Sequence, residues 1–242
     1  MRNLLRLEYL FEGITYCLKG ATVWDSRAVM TYLMEVLDFS GRIDLKTELT
    51  KDLIHHLRGL ERWQHTPNVD SERISKLLQR IRSALNKLEE TSGQFNESFA
   101  QHQLISAVRQ RGSIVGGTCR FDLPNYYHWL QKSPKQRQNE LSEWLMPLEP
   151  LREAIDIDLY MIRNNAVVSQ EIASTGFFQS TLEGHVDCQL IQVLLPQESP
   201  FYPEISGGKQ RFTLRFFEQV NLRERPVPVE QNVSFELCCC LL

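Results

Sequence analysis

Three consecutive thiols, Cys238, Cys239 and Cys240, sit near the end of the chain in the run SFELCCCLL (234–242). Thiols so placed could ligate a metal, accept a lipid, pair as a disulfide or simply finish a strand. On a strand, neighbours point to opposite faces, so Cys239 joins Val233, Phe235 and Leu237 while Cys238 and Cys240 face the other way. Adjacent residues therefore do not easily pinch one metal ion. Cys238 and Cys240 share a face, but roughly 6.8 Å apart with parallel side chains they make a poor disulfide. The closing CCLL fits a prenylation box ending in Leu, yet no polybasic segment precedes it and Glu236 lies close by. The tail reads as a final β-strand. The six cysteines include no CxxC pair and are too few for a disulfide scaffold in 242 residues, so reduced thiols are expected.

Other candidate chemistry is weaker. Histidines 55, 56, 65, 102, 128 and 185 show no HExxH or other metal spacing and read as surface or satisfied core residues. SGGKQ (206–210) contains Gly-Lys, but Pro203 stands where a P-loop needs its first Gly, and Gln210 replaces the Ser/Thr. Both GG pairs, 116–117 and 207–208, read as tight turns needing positive φ. No GxSxG elbow supports a Ser-His-acid triad. Asp156 and Asp158 lie two apart on an expected helix and diverge. No catalytic residue, cofactor site, metal site or small-molecule substrate is expected. A helix-turn-helix across QLISAVRQR and PNYYHWL fails on its long break and on a second helix without Arg or Lys.

One pattern survives. In KQRFTLRFF, Lys209, Arg211 and Arg215 occupy one strand face while Phe212, Leu214 and Phe216 occupy the other. The aromatic row should anchor a core. The cationic row, with Phe217 on its side, suits an extended acidic peptide carrying an apolar anchor; the plain alternative is a solvated strand face. From Val167 onward the only Lys and Arg are Lys209, Arg211, Arg215, Arg223 and Arg225. A second acid-free cluster, RQRGSIVGGTCR, carries Arg109, Arg111 and Arg120. Both sit in a chain of net charge −3, which gives no global reason to bind nucleic acid.

The elements that must position these residues divide into a helical front and a β-rich back. Leu4, Leu7, Phe11, Ile14 and Leu18 stripe a first helix; Asp25 is placed to cap a second that Gly41 closes. Leu45, Leu49, Leu53, Leu57 and Leu60 stripe a third. After a break at 66–68, Asp70 caps a fourth with Ile74, Leu77, Ile81, Leu85 and Leu88 inward. Beyond Gly93 a helix ends near Arg111, Asp122 and Pro124 open PNYYHWL, and Ser133-Pro134 opens another that Pro147 and Pro150 interrupt before it resumes toward Asn164. After Asn165 come β-branched and aromatic runs: VVSQEIAS, FFQSTL, VDCQLIQVLL, KQRFTLRFFEQV and VEQNVSFELCCC. The expected fold is α+β, an N-terminal helical bundle (1–165) followed by a C-terminal antiparallel β domain (166–242), a small barrel or sandwich. No apolar run approaches the roughly 18–20 residues that span a bilayer, and the amino terminus lacks a signal-peptide cleavage pattern. A cytoplasmic protein without a membrane anchor is expected.

The stretches LRLEYLF (5–11), LISAVRQRGSIVGGTCRFDLPNYYHWL (104–130), FYPEISGGKQRFTLRFF (201–217) and FELCCC (235–240) resemble the ZapD family of bacterial cell-division proteins. The resemblance runs in order from about Leu4 to Cys240 and implies a helical domain followed by a β domain. It implies a non-enzymatic homodimer at the mid-cell division ring that binds the carboxy-terminal tail of the tubulin-like protein FtsZ and bundles its filaments. In the family, basic residues of the β domain contribute to tail binding, and the matching RFxxRF pattern carries that role to Arg211 and Arg215. Lys209, Arg111 and Arg120 join them from charge clustering alone. The runner-up is a general acidic-peptide or nucleic-acid module using the 209–225 and 109–120 clusters. The family usually has a short segment before its first helix that contributes to the β part, whereas here Met1 abuts the first helix almost directly: either this chain starts late or that strand is absent, and the edge of the β domain depends on which.

Overall fold

The computed structural model describes residues 1–41, 44–64, 70–91, 95, 97–181, 188–208 and 211–241. Lys209, the 66–68 break and Gly93 lie outside them. The helices are α1 (Arg2–Leu18), α2 (Val23–Ser40), α3 (Leu45–Trp63), α4 (Ser71–Glu90), α5 (Gln103–Gly112), α6 (Pro124–Leu130), α7 (Pro134–Leu145) and α8 (Glu149–Asn164). The strands are β1 (Ala166–Ala173), β2 (Phe177–Thr181), β3 (Cys188–Leu194), β4 (Phe201–Gly207), β5 (Arg211–Glu218), β6 (Val227–Pro228) and β7 (Val233–Leu241). The α+β order expected from the sequence is the order found. The chain groups into two compact units, Arg2–Leu159 and Tyr160–Leu242.

In the helical unit the apolar stripes become the core. Leu4, Leu7, Phe11 and Ile14 of α1 are buried, and α1 packs along α2 as α3 does along α4. On α4 the buried set is Ile74, Leu78, Ile81, Ala84 and Leu88; Leu78 and Ala84 go inward rather than Leu77 and Leu85. Adjacent apolar residues, Leu77 with Leu78 and Ala84 with Leu85, satisfy either rotation of the helix, so packing rather than periodicity chooses. The cap of α2 is Thr22, not Asp25. The Thr22 side chain accepts from the Asp25 amide and the Asp25 carboxylate accepts from the Thr22 amide, a reciprocal capping box. Asp122 likewise does not cap α6: Leu123 holds the cap position without a side-chain bond, and Pro124 opens the helix. Ser133 and Gln136 form a second capping box at α7. The proline interruption is a single 3₁₀ turn, Met146–Leu148; Pro150 falls in the first turn of α8, where a missing N–H costs nothing.

Arg137 of α7 is buried, and the hydrogen bonds it makes go to a hydroxyl and to carbonyls. Its guanidinium donates to Ser26 Oγ at 2.9 Å, to the carbonyls of Ala21 at 2.8 Å and Leu130 at 3.3 Å, and to that of Lys132. The bonds to Ala21 and Ser26 tie α7 to the turn between α1 and α2 and to the first turns of α2, and those to Leu130 and Lys132 hold the end of α6.

The β unit holds two sheets. The first has the order β1-β7-β3 and the second β2-β5-β4, with β6 pairing beside β5; all the pairs are antiparallel. The arrangement is sandwich-like. Ala173, Val233, Phe235 and Leu237 of the first sheet meet Phe212, Leu214 and Phe216 of the second in one buried cluster. Phe235 packs edge-on against Phe178 and tilted against Phe216, with 5.3 Å between ring centroids in each pair. The chain passes from β1 to β2 through Thr175 and Gly176, both with positive φ (50° and 68°). A Cβ on Gly176 would lie 2.2 Å from the Val229 carbonyl oxygen, so glycine is required there twice over.

Strand β4 lies in a segment not expected to pair. Pro203 argues against a strand, but β4 is an edge strand of the second sheet, where a missing N–H is tolerated. Among the described residues, only one glycine of the two GG pairs, Gly116, takes a positive φ. Its neighbour Gly117 serves differently: a Cβ there would stand 2.4 Å from the Arg111 carbonyl oxygen.

Candidate functional site

Strand β5 runs through the middle of the second sheet, which fixes its two faces. Phe212, Leu214 and Phe216 are 1%, 0% and 0% exposed, and the same alternation leaves Arg211 and Arg215 exposed on the opposite face. Burying three large apolar groups on one side prevents a slip of one residue, so the two arginines are held outward by the core itself. Thr213 and Phe217 complete the outward row and are partly buried.

Cross-strand register adds neighbours that the local sequence does not show. Arg211 stands opposite Thr181, and Arg215 stands between Phe177 of β2 and Glu204 of β4. The Arg215 guanidinium lies 6.0 Å from the Phe177 ring centroid, at the outer limit of a cation–π contact. Glu204, opposite Arg215 in the register, sets an acid beside that cation on the same face. Tyr202, opposite Phe217, stacks on it with centroids 6.1 Å apart and planes 29° from parallel. Beyond β5 the 219–226 loop is tied by Gln219 Nε2 to the carbonyls of Asn221 (2.6 Å) and Glu224 (2.9 Å), and it presents Leu222, Arg223 and Arg225 to solvent.

Arg111 and Arg120 belong to the helical unit. Their cluster is acid-free only in sequence. Arg111 pairs with Asp122 at 3.7 Å, Arg109 with Asp38 at 2.7 Å, and Arg120 lies over the Tyr127 ring at 5.8 Å. Arg27 donates to the Thr118 carbonyl at 3.3 Å and lies over both Trp24 and Tyr126, anchoring the segment between α5 and α6. Arg211 and Arg215 share one strand face of the β unit, whereas Arg111 and Arg120 lie in the helical unit, the one paired with Asp122 and the other over Tyr127.

The cysteine tail is the central strand of the first sheet. Cys239 faces the sandwich core with Leu237 and Phe235, while Cys238 and Cys240 lie on the other face and are 5% and 0% exposed. All six thiols are free. Among the described residues no His, Cys, Asp and Glu side chains gather in the groups of three that a metal ion needs, and no helix is long and apolar enough to cross a membrane. Burial, reinforced by the neighbouring Cys188 thiol, pushes Cys239 up to about 11. Burial likewise raises Cys188, Cys238 and Cys240. A thiol raised above its free value of about 8.5 contributes stability that is complete below that pH and is lost as pH climbs toward the folded value. The urea midpoint is therefore expected to fall between pH 8.5 and 11 more steeply in the wild type than in Cys239→Ala. Equal slopes in the two proteins would mean that Cys239 is not protected.

The chain is an α+β protein with a helical unit and a two-sheet β unit, one strand of which exposes a cationic and aromatic face. More specifically, the chain belongs to the ZapD family of cell division proteins: the family model matches residues 5–215, a stretch that ends on Arg215. Curated relatives bearing the name "Cell division protein ZapD" agree over the full length. The one from Methylococcus capsulatus is 38% identical over 242 residues, covering 100% of this chain and 94% of the relative. Those from Aromatoleum aromaticum and Chromobacterium violaceum are 34% and 35% identical, covering 100% and 99% of this chain and 94% of each relative.

Proposed function

We propose that this chain is a non-enzymatic, homodimeric adaptor of cell division that binds the carboxy-terminal tail of FtsZ on the outward face of β5 and cross-links FtsZ filaments at the cytoplasmic mid-cell ring. The observation that carries the reading is the pair Arg211 and Arg215, exposed on one face of a strand whose other face is fully buried. The packed core fixes the strand that carries the two cations, so both project from one face toward an acidic chain. Family membership supports the cell-division role. Lys209 extends the row by its place in the sequence; Arg111 and Arg120, being partly paired, are secondary contacts.

The dimer is assigned to the helical part, residues 1–165, and the tail to the β part, residues 166–242. Two tail sites per dimer join two filaments, and bivalency raises avidity without any new contact. The test is low-speed pelleting of GTP-assembled FtsZ polymers with this protein, using full-length and tail-less FtsZ, beside sedimentation of the protein alone. Bundles are expected only with the tail present, and the protein is expected to sediment at twice its 28.2 kDa chain mass. Equal bundling of tail-less polymers would overturn the reading, as would a monomer that still bundles.

A further inference from the structure

We propose that Asp52 is a proton-operated latch on the junction of α3 with α8, holding the two helices together while it carries its proton and loosening them when it ionises.

Helical spacing sets which groups meet there. Glu48, Asp52 and His56 recur every four residues of α3, so they stack along one face of it, with about 5–6 Å between the Cβ atoms of neighbours. Asp158 of α8 closes on that face, its Oδ1 accepting from His56 Nε2 at 2.8 Å. Three carboxyl groups therefore share one imidazole. Asp158 and His56 are 0% and 3% exposed, and Asp52 and Glu48 are half-buried. Asp158 Oδ2 is buried and accepts no hydrogen bond among the described residues, so the bond from His56 alone offsets that carboxylate. His55, the next residue, sets its ring edge-on to His56 with centroids 6.2 Å apart, but is itself exposed.

Charge decides the rest. An ionised Asp52 sets a second negative charge beside Asp158, in surroundings that screen it poorly. Burial first, then the charges of Asp158 and Glu48, hold the Asp52 carboxyl above the ordinary carboxylate range; His56 and the amino group of Met1 act the other way. A carboxyl raised in this way contributes stability that is complete below its unfolded value of about 3.9 and is lost as pH rises through the folded value. Acid therefore tightens this junction. The sign is opposite to that of the capping carboxylates Asp25 and Asp44, which hydrogen bonds hold below the ordinary range and which acid weakens.

The experiment compares the full chain with its Asp52→Asn variant, whose amide has the shape of the protonated acid and no proton to lose. Both are melted at a series of pH values from about 4 to about 8, and the difference in Tm between them cancels the other titrating groups. The wild type is expected to lose about 2–4 °C relative to Asp52→Asn as pH rises through the folded value. Infrared difference spectra give a readout that a packing role does not move. The carbonyl stretch of a protonated carboxyl should fade over the same pH range in the wild type and be missing from Asp52→Asn. Glu48→Gln removes one neighbouring charge and should carry that fading to lower pH. A Tm difference that stays constant with pH overturns the latch, as does a carboxyl band that Glu48→Gln leaves where it was. Should Asp52→Asn not fold, the infrared titrations of the wild type and Glu48→Gln decide alone.

Discussion

Reversing both outward cations of β5, Arg211→Glu with Arg215→Glu, is expected to abolish binding of the FtsZ tail peptide and, with it, filament bundling. Each arginine facing a carboxylate near the surface is worth about 1 kcal/mol at 4 Å in water-like dielectric. Reversal replaces that attraction with an equal repulsion, so two sites together change binding by about 4 kcal/mol, on the order of a thousandfold in affinity. The fold should not notice. Both side chains are exposed, while the residues that hold β5, Phe212, Leu214 and Phe216, are untouched; surface changes of this kind usually stay within about 0.5 kcal/mol. The measurement is anisotropy titration at low and high salt with a melting curve for each protein. Wild-type binding should weaken with salt, because the screening length falls from about 10 Å at 0.1 M to about 3 Å at 1 M. A folded double variant that binds as the wild type does would move the site off this strand, first to Arg111 and Arg120.

Arg211 and Arg215 were legible because two independent constraints coincide on one short strand: alternation gives the faces, and three large apolar residues choose which face goes inward. Phe177, Tyr202 and Glu204 were not legible as part of the face. They come from other strands, and which residue stands opposite Arg215 is a matter of register that no local pattern encodes. Strand β4 is illegible locally for a related reason. Pro203 disqualifies a central strand, and only the finished sheet shows that this strand is an edge. The same limit applied to charge. RQRGSIVGGTCR looks uncompensated until Asp38, far away in sequence, and Asp122, just beyond the segment, arrive to pair with it. Caps were half legible: Asp25 was a sound choice by residue type, yet Thr22 three positions earlier takes the cap and turns Asp25 into its reciprocal partner.

Deleting the imidazole of His56 is expected to be the most destabilising of the single substitutions considered. His56 of α3 donates through Nε2 to Asp158 Oδ1 of α8 at 2.8 Å, with side chains 2% and 0% exposed. The other carboxylate oxygen, Oδ2, is buried and accepts no hydrogen bond among the described residues. The pair is therefore held together largely by one bond, and α3 is tied to α8 through it. A second carboxyl, Asp52, lies one turn before His56; burial, and after it the charges of Asp158 and Glu48, hold it above the usual carboxylate range. His56→Ala leaves Asp158 buried without its partner, a loss of about 3–5 kcal/mol, or on the order of 10 °C in Tm for a chain of this size. Asp158→Ala strands only an imidazole N–H and should cost less, about 1–3 kcal/mol. Replacing both with leucine should recover most of the loss, since a packed apolar pair of similar volume is often as stable as a buried ion pair. The order of the three variants by thermal melting is the check; a His56→Ala protein within 1 kcal/mol of wild type would mean that water reaches Asp158. The consequence for function follows from the division of labour proposed above. A bundler must hold two tails at once, so weakening the helical part should cost His56→Ala its bundling of FtsZ at a temperature where its binding of the single tail peptide persists.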